Sequence, residues 1–157
     1  MRKKVIGQDQ QEAQSLEPEW MNLEEIVTVE LSSEDTHYPI ESALIPGQTS
    51  EWRAAEAGKQ SLRLLFDQPQ QINKICLSFI ESNIERTQEF VLRCLLEQET
   101  SFQEIVRQQW NFSPDGTNEE REEYKVNLKA VMILELIIVP DISGGDSRAS
   151  LAQLQLA

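Results

Sequence analysis

Few residues of this chain have the type and spacing that catalysis requires. His37 is the sole histidine, so one chain cannot assemble a metal site with two histidine ligands. The sequence contains no Gly-x-Ser-x-Gly, Gly-x4-Gly-Lys or Cys-x-x-Cys motif. Glu34 and Asp35 lie next to His37, but with 27 acidic residues in the chain, adjacent carboxylates are expected on a solvated surface. We therefore expect a protein that binds rather than an enzyme, without a metal or other cofactor.

Arginine and tryptophan side chains offer better candidates for binding than for catalysis. The guanidinium of Arg53 could hold a carboxylate or a sugar hydroxyl, or it could clamp the neighbouring chain through Glu51 or Glu56. Trp110 lies in the segment RQQWNF, whose amides and ring suit a sugar, although a polar sheet edge has the same composition. Arg107 of this segment either contacts the ligand or pairs with nearby glutamates. We select Arg53, Arg107 and Trp110 as candidate ligand-binding residues.

The charge balance disfavours two classes of partner. Fourteen Lys and Arg residues against 27 Asp and Glu give a formal net charge of -13, which repels nucleic-acid phosphates and anionic lipids. The N-terminal sequence lacks the apolar run of a secretory signal, and the longest apolar stretch, 130–139, is interrupted by Glu135. We expect a cytoplasmic protein that binds neither nucleic acid nor membrane.

Alternating apolar residues predict that most of the chain consists of strands. Residues 1–19 contain few apolar positions and are expected to form a flexible or loosely docked tail, followed by one domain over 20–157. Turn signals separate segments with a period of two, and 40–57 is expected to be a long loop with a helical turn. The predicted strands span 27–31, 61–66, 72–79, 90–96, 102–110, 124–129, 131–139 and 151–156, and in 131–139 Leu134, Leu136 and Ile138 are expected to face the core. Seven or eight short strands predict an all-β sandwich, possibly a jelly roll.

The two cysteines fall on opposite sides of their predicted strands. Cys76 alternates with the apolar residues of 75–79, whereas Cys94 shares the apolar face of 90–94. One thiol is thus expected to face inward and the other outward. A disulfide between them is not expected, in keeping with a reducing compartment.

Two motifs carry a resemblance to a known family. LSSEDTH at 31–37 ends a predicted strand, and EWRAAEAG at 51–58 precedes the strand at 61–66. This pair resembles the opening of the galactose-binding-like, or discoidin, jelly-roll domains. The resemblance is strongest to the N-terminal domain of the single-strand-break repair scaffold. It implies an all-β jelly-roll sandwich that binds a glycan or a protein segment through loops at one end, or alternatively a scaffold that docks proteins on a sheet face or edge.

The resemblance also bears on Trp52 and on calcium. Trp52 matches the family's loop tryptophan, which implies that it plugs the open end of the barrel, with ligand stacking as the alternative. We therefore include Trp52 among the candidate ligand-binding residues. Discoidin-type modules hold calcium through an Asp before this tryptophan and a Glu in the last strand, and neither carboxylate is present in 44–50 or in 152–154. A calcium site is therefore not expected.

Overall fold

The computed structural model of the protein describes residues 19–157 and contains eight strands and two single-turn helices in this range. The predicted tail, 1–19, lies outside the described residues except for its last position. The elements are α1 (Leu23–Ile26), β1 (Val27–Leu31), α2 (Glu41–Leu44), β2 (Trp52–Ala57), β3 (Gln60–Ile80), β4 (Arg86–Leu96), β5 (Gln103–Phe112), β6 (Glu119–Val139), β7 (Arg148–Leu151) and β8 (Gln153–Leu156). In the described part, neither helix has the length or apolar character needed to cross a membrane.

Two long antiparallel strands contribute to both layers of a sandwich. β3 and β6 have 21 residues each and pair along their lengths, with shifts of register between Leu65 and Lys74. Such irregularities bend a strand. The first half of β3 pairs with β1, and its second half pairs with β8. The second half of β6 pairs with β4, which in turn pairs with β5, so the strand order is β1-β3-β6-β4-β5.

The core lies between these two layers and is built from alternate residues of each strand. Leu62, Leu64 and Phe66 of β3 are buried, as the period of two predicts. The ring of Phe79 in β3 lies 5.3 Å from that of Phe90 in β4, which joins the layers. The short pair β2-β7 adds Trp52, which is completely buried. The all-β jelly-roll sandwich predicted from the sequence is thereby confirmed.

The structure differs from the predicted elements in five places. The strands predicted at 61–66 and 72–79 form one strand, β3, because the predicted turn at 67–69 is accommodated by the shifts of register. The strands predicted at 124–129 and 131–139 also form one strand, β6, in which Ala130 has a positive φ of 58°. The segment 40–57, predicted to be a loop with a helical turn, contains that turn as α2 but ends in the strand β2. The last predicted strand, 151–156, is divided into β7 and β8 at Ala152. Cys76, which was predicted to face outward, does point away from the core face of β3. However, it is only 5% exposed and is therefore shielded from solvent. Neither Cys76 nor Cys94 takes part in a disulfide.

Candidate functional site

The two sequence motifs hold each other through hydrogen bonds. The hydroxyls of Ser32 and Ser33 both donate to the Oε1 atom of Gln60, over 2.7 and 2.6 Å. The backbone N–H of Ala55 donates to the hydroxyl of Ser33 over 3.1 Å, and that of Asp35 donates to the carbonyl of Arg53 over 2.9 Å. The Ser-Ser segment after β1 therefore fixes the strand that carries Arg53.

Asp35 stabilises the loop that follows the Ser-Ser segment. Its carboxylate accepts a hydrogen bond from the backbone N–H of His37 over 3.0 Å, which lowers the pKa of Asp35. The imidazole of His37 is 87% exposed and lies 3.4 Å from the same carboxylate. The backbone of His37 thus anchors the loop, as expected for a structural residue. Glu34 and Asp35 are both half-buried and not freely solvated.

Arg53 lies at the centre of a polar cleft at one end of the sandwich. Two adjoining cavities of about 300 and 240 Å³ share four lining residues, namely Arg53, Ile80, Glu81 and Asn83. The first cavity adds Tyr38 and the segment 49–51, and the second adds Arg148 and its neighbours in β7. We call these two cavities together the Arg53 cleft. Its walls come from four separate segments of the chain.

The position of Arg53 is fixed by its neighbours, while part of its guanidinium stays unpaired. One nitrogen donates to Glu51 over 2.8 Å, and this contact raises the pKa of Arg53. The guanidinium carbon lies 4.9 Å from the centre of the Tyr38 ring. The Nε atom is buried and has no hydrogen-bond partner. Arg53 clamps its loop, and its side chain, which is 42% exposed, also lines the cleft.

Glu81 supplies a fixed negative charge at the opposite wall. Burial works against its ionisation, but hydrogen bonds from Arg86 and from the backbone of Asn83 prevail and lower the pKa of Glu81. Arg86 is 1% exposed, donates to the carbonyl of Pro140 over 2.6 Å and lies over the ring of Phe112. Glu81 therefore remains an ionised acceptor in a rigid position.

The four residues selected from the sequence do not form one site. Trp52 is completely buried, so it has no surface for a ligand, and this agrees with the structural alternative. Arg107 and Trp110 both belong to β5, but their side chains lie on opposite faces. Neither of them lines the Arg53 cleft.

One layer of the sandwich consists of β1, the first half of β3, the second half of β6, β4 and β5, and we call it the five-stranded layer. Arg107 lies on its outer face. It pairs with Glu89 over 2.7 Å and with Glu104 over 2.9 Å, and these contacts raise the pKa of the guanidinium. A cavity of about 390 Å³ beside it is lined by charged residues and by Val91, Phe102, Ile137 and Val139. Arg107 therefore belongs to a sheet surface, and salt bridges to glutamates account for its conformation.

Trp110 packs on the inner side of β5, beside a polar cluster that sequence reasoning missed. Its indole N–H is buried without a hydrogen-bond partner. Its register neighbour, Gln88, is buried and donates to Glu120 over 3.3 Å. Arg86, Gln88 and Phe90 are spaced two apart in β4, so both polar residues lie on the core face together with Phe90. This spacing is the signal in the sequence that could have identified the cluster.

Within residues 19–157, no group of three potential ligand side chains is close enough to hold a metal ion.

Comparisons with known proteins address the fold and the family. The family described as the XRCC1 N terminal domain matches residues 19–131. The family 32 carbohydrate-binding module of NanJ from C. perfringens, solved with galactose, superposes with a TM-score of 0.64 at 16% identity over 87% of this chain and 96% of that one. A module from a family 31 glycoside hydrolase of Clostridium perfringens gives a TM-score of 0.63 at 15% identity, with 98% of each chain covered. A search of curated proteins finds no match.

Proposed function

Because the chain belongs to the XRCC1 N-terminal domain family, we propose that it is a non-catalytic recognition module. Its ligand is a glycan or a protein segment, bound by the loops at one end of the sandwich. The observation that carries this proposal is the Arg53 cleft, in which side chains from four chain segments converge. A concave site with a few fixed polar groups is typical of ligand binding.

The chemistry of the Arg53 cleft suits a neutral ligand with many hydroxyl groups. The partly exposed guanidinium of Arg53 offers donors and Glu81 offers an ionised acceptor, so a ligand that has both donors and acceptors can bridge them. Ile80 is 44% exposed and provides an apolar surface between them. A sugar has hydroxyls and an apolar ring face, and the fold is one that carries a galactose in the module from C. perfringens. These features favour a glycan over a protein segment.

The same proposal includes the cellular setting. A net charge of -13 disfavours nucleic acid and anionic membranes as partners. Two cysteines without a disulfide suit a reducing compartment, and we infer a cytoplasmic location.

A second candidate function is protein docking on the outer face of the five-stranded layer. The observation that favours it is a set of partly exposed apolar residues on this face, Leu65, Leu95, Ile133, Ile137 and Val139. Charged residues lie among them, including Arg107 with its two glutamates. An apolar surface interleaved with charges is typical of protein interfaces. In this alternative the module is a scaffold, and the Arg53 cleft has no ligand.

A comparison of Arg53→Ala with Arg107→Ala in the full chain distinguishes the two functions. The readouts are binding to a glycan array and capture of proteins from an extract of the native cells. If the Arg53 cleft is the site, Arg53→Ala lowers binding to the array by about tenfold or more, and Arg107→Ala leaves it unchanged. Capture of a defined protein that is lost only in Arg107→Ala, with no binding to the array, would establish the scaffold instead.

A further inference from the structure

A second groove lies beside β1 and differs in character from the Arg53 cleft. It has a volume of about 360 Å³. One wall is formed by Val27, Val29 and Leu31 of β1, and the floor by Ile40 and Leu44 at α2. We call it the β1 groove. Its walls and floor are apolar.

The β1 groove is open because the adjacent helices are too short to cover it. Val27, Val29 and Leu31 face the core side of the sandwich and pack against the core, yet all three are partly exposed. α1 and α2 have four residues each. Ile40 and Leu44, by contrast, are 5% and 7% exposed and are held in place by the core. A ligand could therefore enter the groove without unfolding any element.

The backbone of β1 has an unpaired edge next to this groove. Among the described strands, β1 pairs with β3 and with no other. A strand at the edge of a sheet presents N–H and C=O groups that can pair with another extended chain. Peptides bind many domains in this way, with alternate side chains entering pockets beside the strand.

The rim of the groove is acidic. Among residues 19–157, Glu24, Glu34 and Glu41 line it, and no Lys or Arg does. Glu24 and Glu41 are exposed at the surface, where a partner can reach them. An apolar groove with a carboxylate rim is complementary to a segment that combines apolar and basic residues.

Among the described residues, the β1 groove and the Arg53 cleft have no lining residue in common, and a single loop lies between them. Residues 32–39 contribute Glu34 to the groove and Tyr38 to the cleft. A ligand in one site therefore leaves the other accessible.

We propose that the β1 groove binds an extended segment of a partner protein in which apolar residues at alternate positions are flanked on the same face by Lys or Arg at both ends. The segment adds to the free edge of β1 as a further strand. Its apolar side chains fill the groove, and because the side chains of a strand alternate between its faces, the cations at its ends lie on the groove side and reach the three glutamates. This binding is independent of the function proposed for the Arg53 cleft.

The test uses the full chain and the fluorescein-labelled peptide Lys-Ser-Val-Ser-Val-Ser-Lys, whose Lys and Val side chains share one face of a strand, with binding followed by fluorescence anisotropy. Saturable binding is expected, and Glu24→Lys with Glu41→Lys should weaken it by about tenfold or more. The matched control is Glu56→Lys with Glu85→Lys, which changes the net charge equally at two exposed positions outside the groove and should have no effect. The peptide Glu-Ser-Val-Ser-Val-Ser-Glu should not bind.

Two further measurements locate the peptide. The lysine-flanked peptide should slow hydrogen exchange of backbone amides in 27–31, and methylation of its alternate backbone nitrogens should abolish binding. Arg53→Ala should leave this binding unchanged, so the result does not depend on whether the Arg53 cleft binds a ligand. The proposal is overturned if the peptide does not bind, if both double variants weaken binding equally, or if protection appears elsewhere. It is also overturned if sedimentation reveals a dimer that Glu24→Lys with Glu41→Lys dissociates, because a second copy would then occupy the groove.

Discussion

Arg93 and Glu135 form an ion pair across neighbouring strands on the outer face of the sheet. The Nη2 atom of Arg93 lies 2.6 Å from Oε1 of Glu135, and Arg63 contacts Oε2 of the same carboxylate over 2.6 Å. The ring of Phe102 lies within about 5 Å of both guanidinium groups. The strand register extends this contact into a row of alternating charge across five strands, Glu30, Arg63, Glu135, Arg93 and Glu104.

Glu135 is the central member of this row, and we expect it to be the most important one for stability. Its side chain is 3% exposed, whereas both arginines are at least one third exposed. Glu135→Gln should lower the free energy of unfolding by about 1–3 kcal/mol, because two charge-assisted hydrogen bonds weaken. Glu30→Gln, at an exposed end of the row, should change it by less than about 0.5 kcal/mol. Urea unfolding measures both, and equal effects would contradict the special role of Glu135.

The sequence predicted on which face of its strand Glu135 lies, but it did not predict that the side chain is buried between two arginines. A period of two placed Leu134 and Leu136 on the core face and Glu135 on the other, as observed. The burial of Glu135 depends on Arg63 and Arg93, which lie 72 and 42 positions away along the chain. Strand pairing brings these residues together, and a local pattern contains no information about which strands pair.

The candidate site could be predicted only in part, for the same reason. Arg53 was selected because of its chemistry, and it does line a cleft. Glu81 and Asn83 were not selected, because they belong to a connection whose position depends on the bend in β3. Trp52 and Arg53 alternate along one strand, so one is buried and the other faces the cleft. The side of the strand that faces the core is decided by the register with β7.

Trp52 and Arg53 are expected to have separable roles in stability and binding. Trp52→Phe should lower the free energy of unfolding by roughly 1–3 kcal/mol, because it leaves a void in a fully buried position. Ligand affinity in the Arg53 cleft should be unchanged. Arg53→Ala should lower the free energy of unfolding by less than about 1 kcal/mol, since its pair with Glu51 is partly exposed, and should weaken glycan binding by about tenfold or more. Thermal unfolding measures the stability of both variants, and the glycan array measures their binding. If the Trp52→Phe protein folds but loses affinity for the glycan, the alternative that Trp52 stacks on the ligand is supported instead.

The two thiols should be inert in the folded protein. Cys94 is completely buried, and burial raises the pKa of its thiol, which reduces the reactive thiolate. Cys76 is 5% exposed. We expect a colorimetric disulfide reagent to modify neither thiol at neutral pH and to modify both after unfolding in urea. Rapid reaction of one thiol in the native state would show that its strand opens locally.

Glu120 gives the fold an unusual dependence on pH. Its side chain is completely buried among Gln88, Glu122 and the nearby Arg86. Burial, together with the charge of Glu122, raises the pKa of Glu120 from its ordinary 4.5 to about 8, although Gln88 and Arg86 oppose the shift. Between these two values the folded protein keeps a proton that the unfolded chain releases. The stabilisation is therefore complete below the ordinary carboxyl pKa and is lost as the pH rises towards 8.

Glu120→Gln should remove this dependence, because the amide stays neutral and can still contact Gln88. The free energy of unfolding of the unaltered protein should fall relative to that of Glu120→Gln between about pH 5.5 and about pH 8, by at most about 1.4 kcal/mol for each pH unit. Glu81, Glu89 and Glu123 have lowered pKa values and are ionised throughout this window in both proteins. Urea unfolding at the two pH values measures the difference. Parallel curves for the two proteins would mean that Glu120 is already ionised in the folded state, and its buried charge would then be balanced by Arg86.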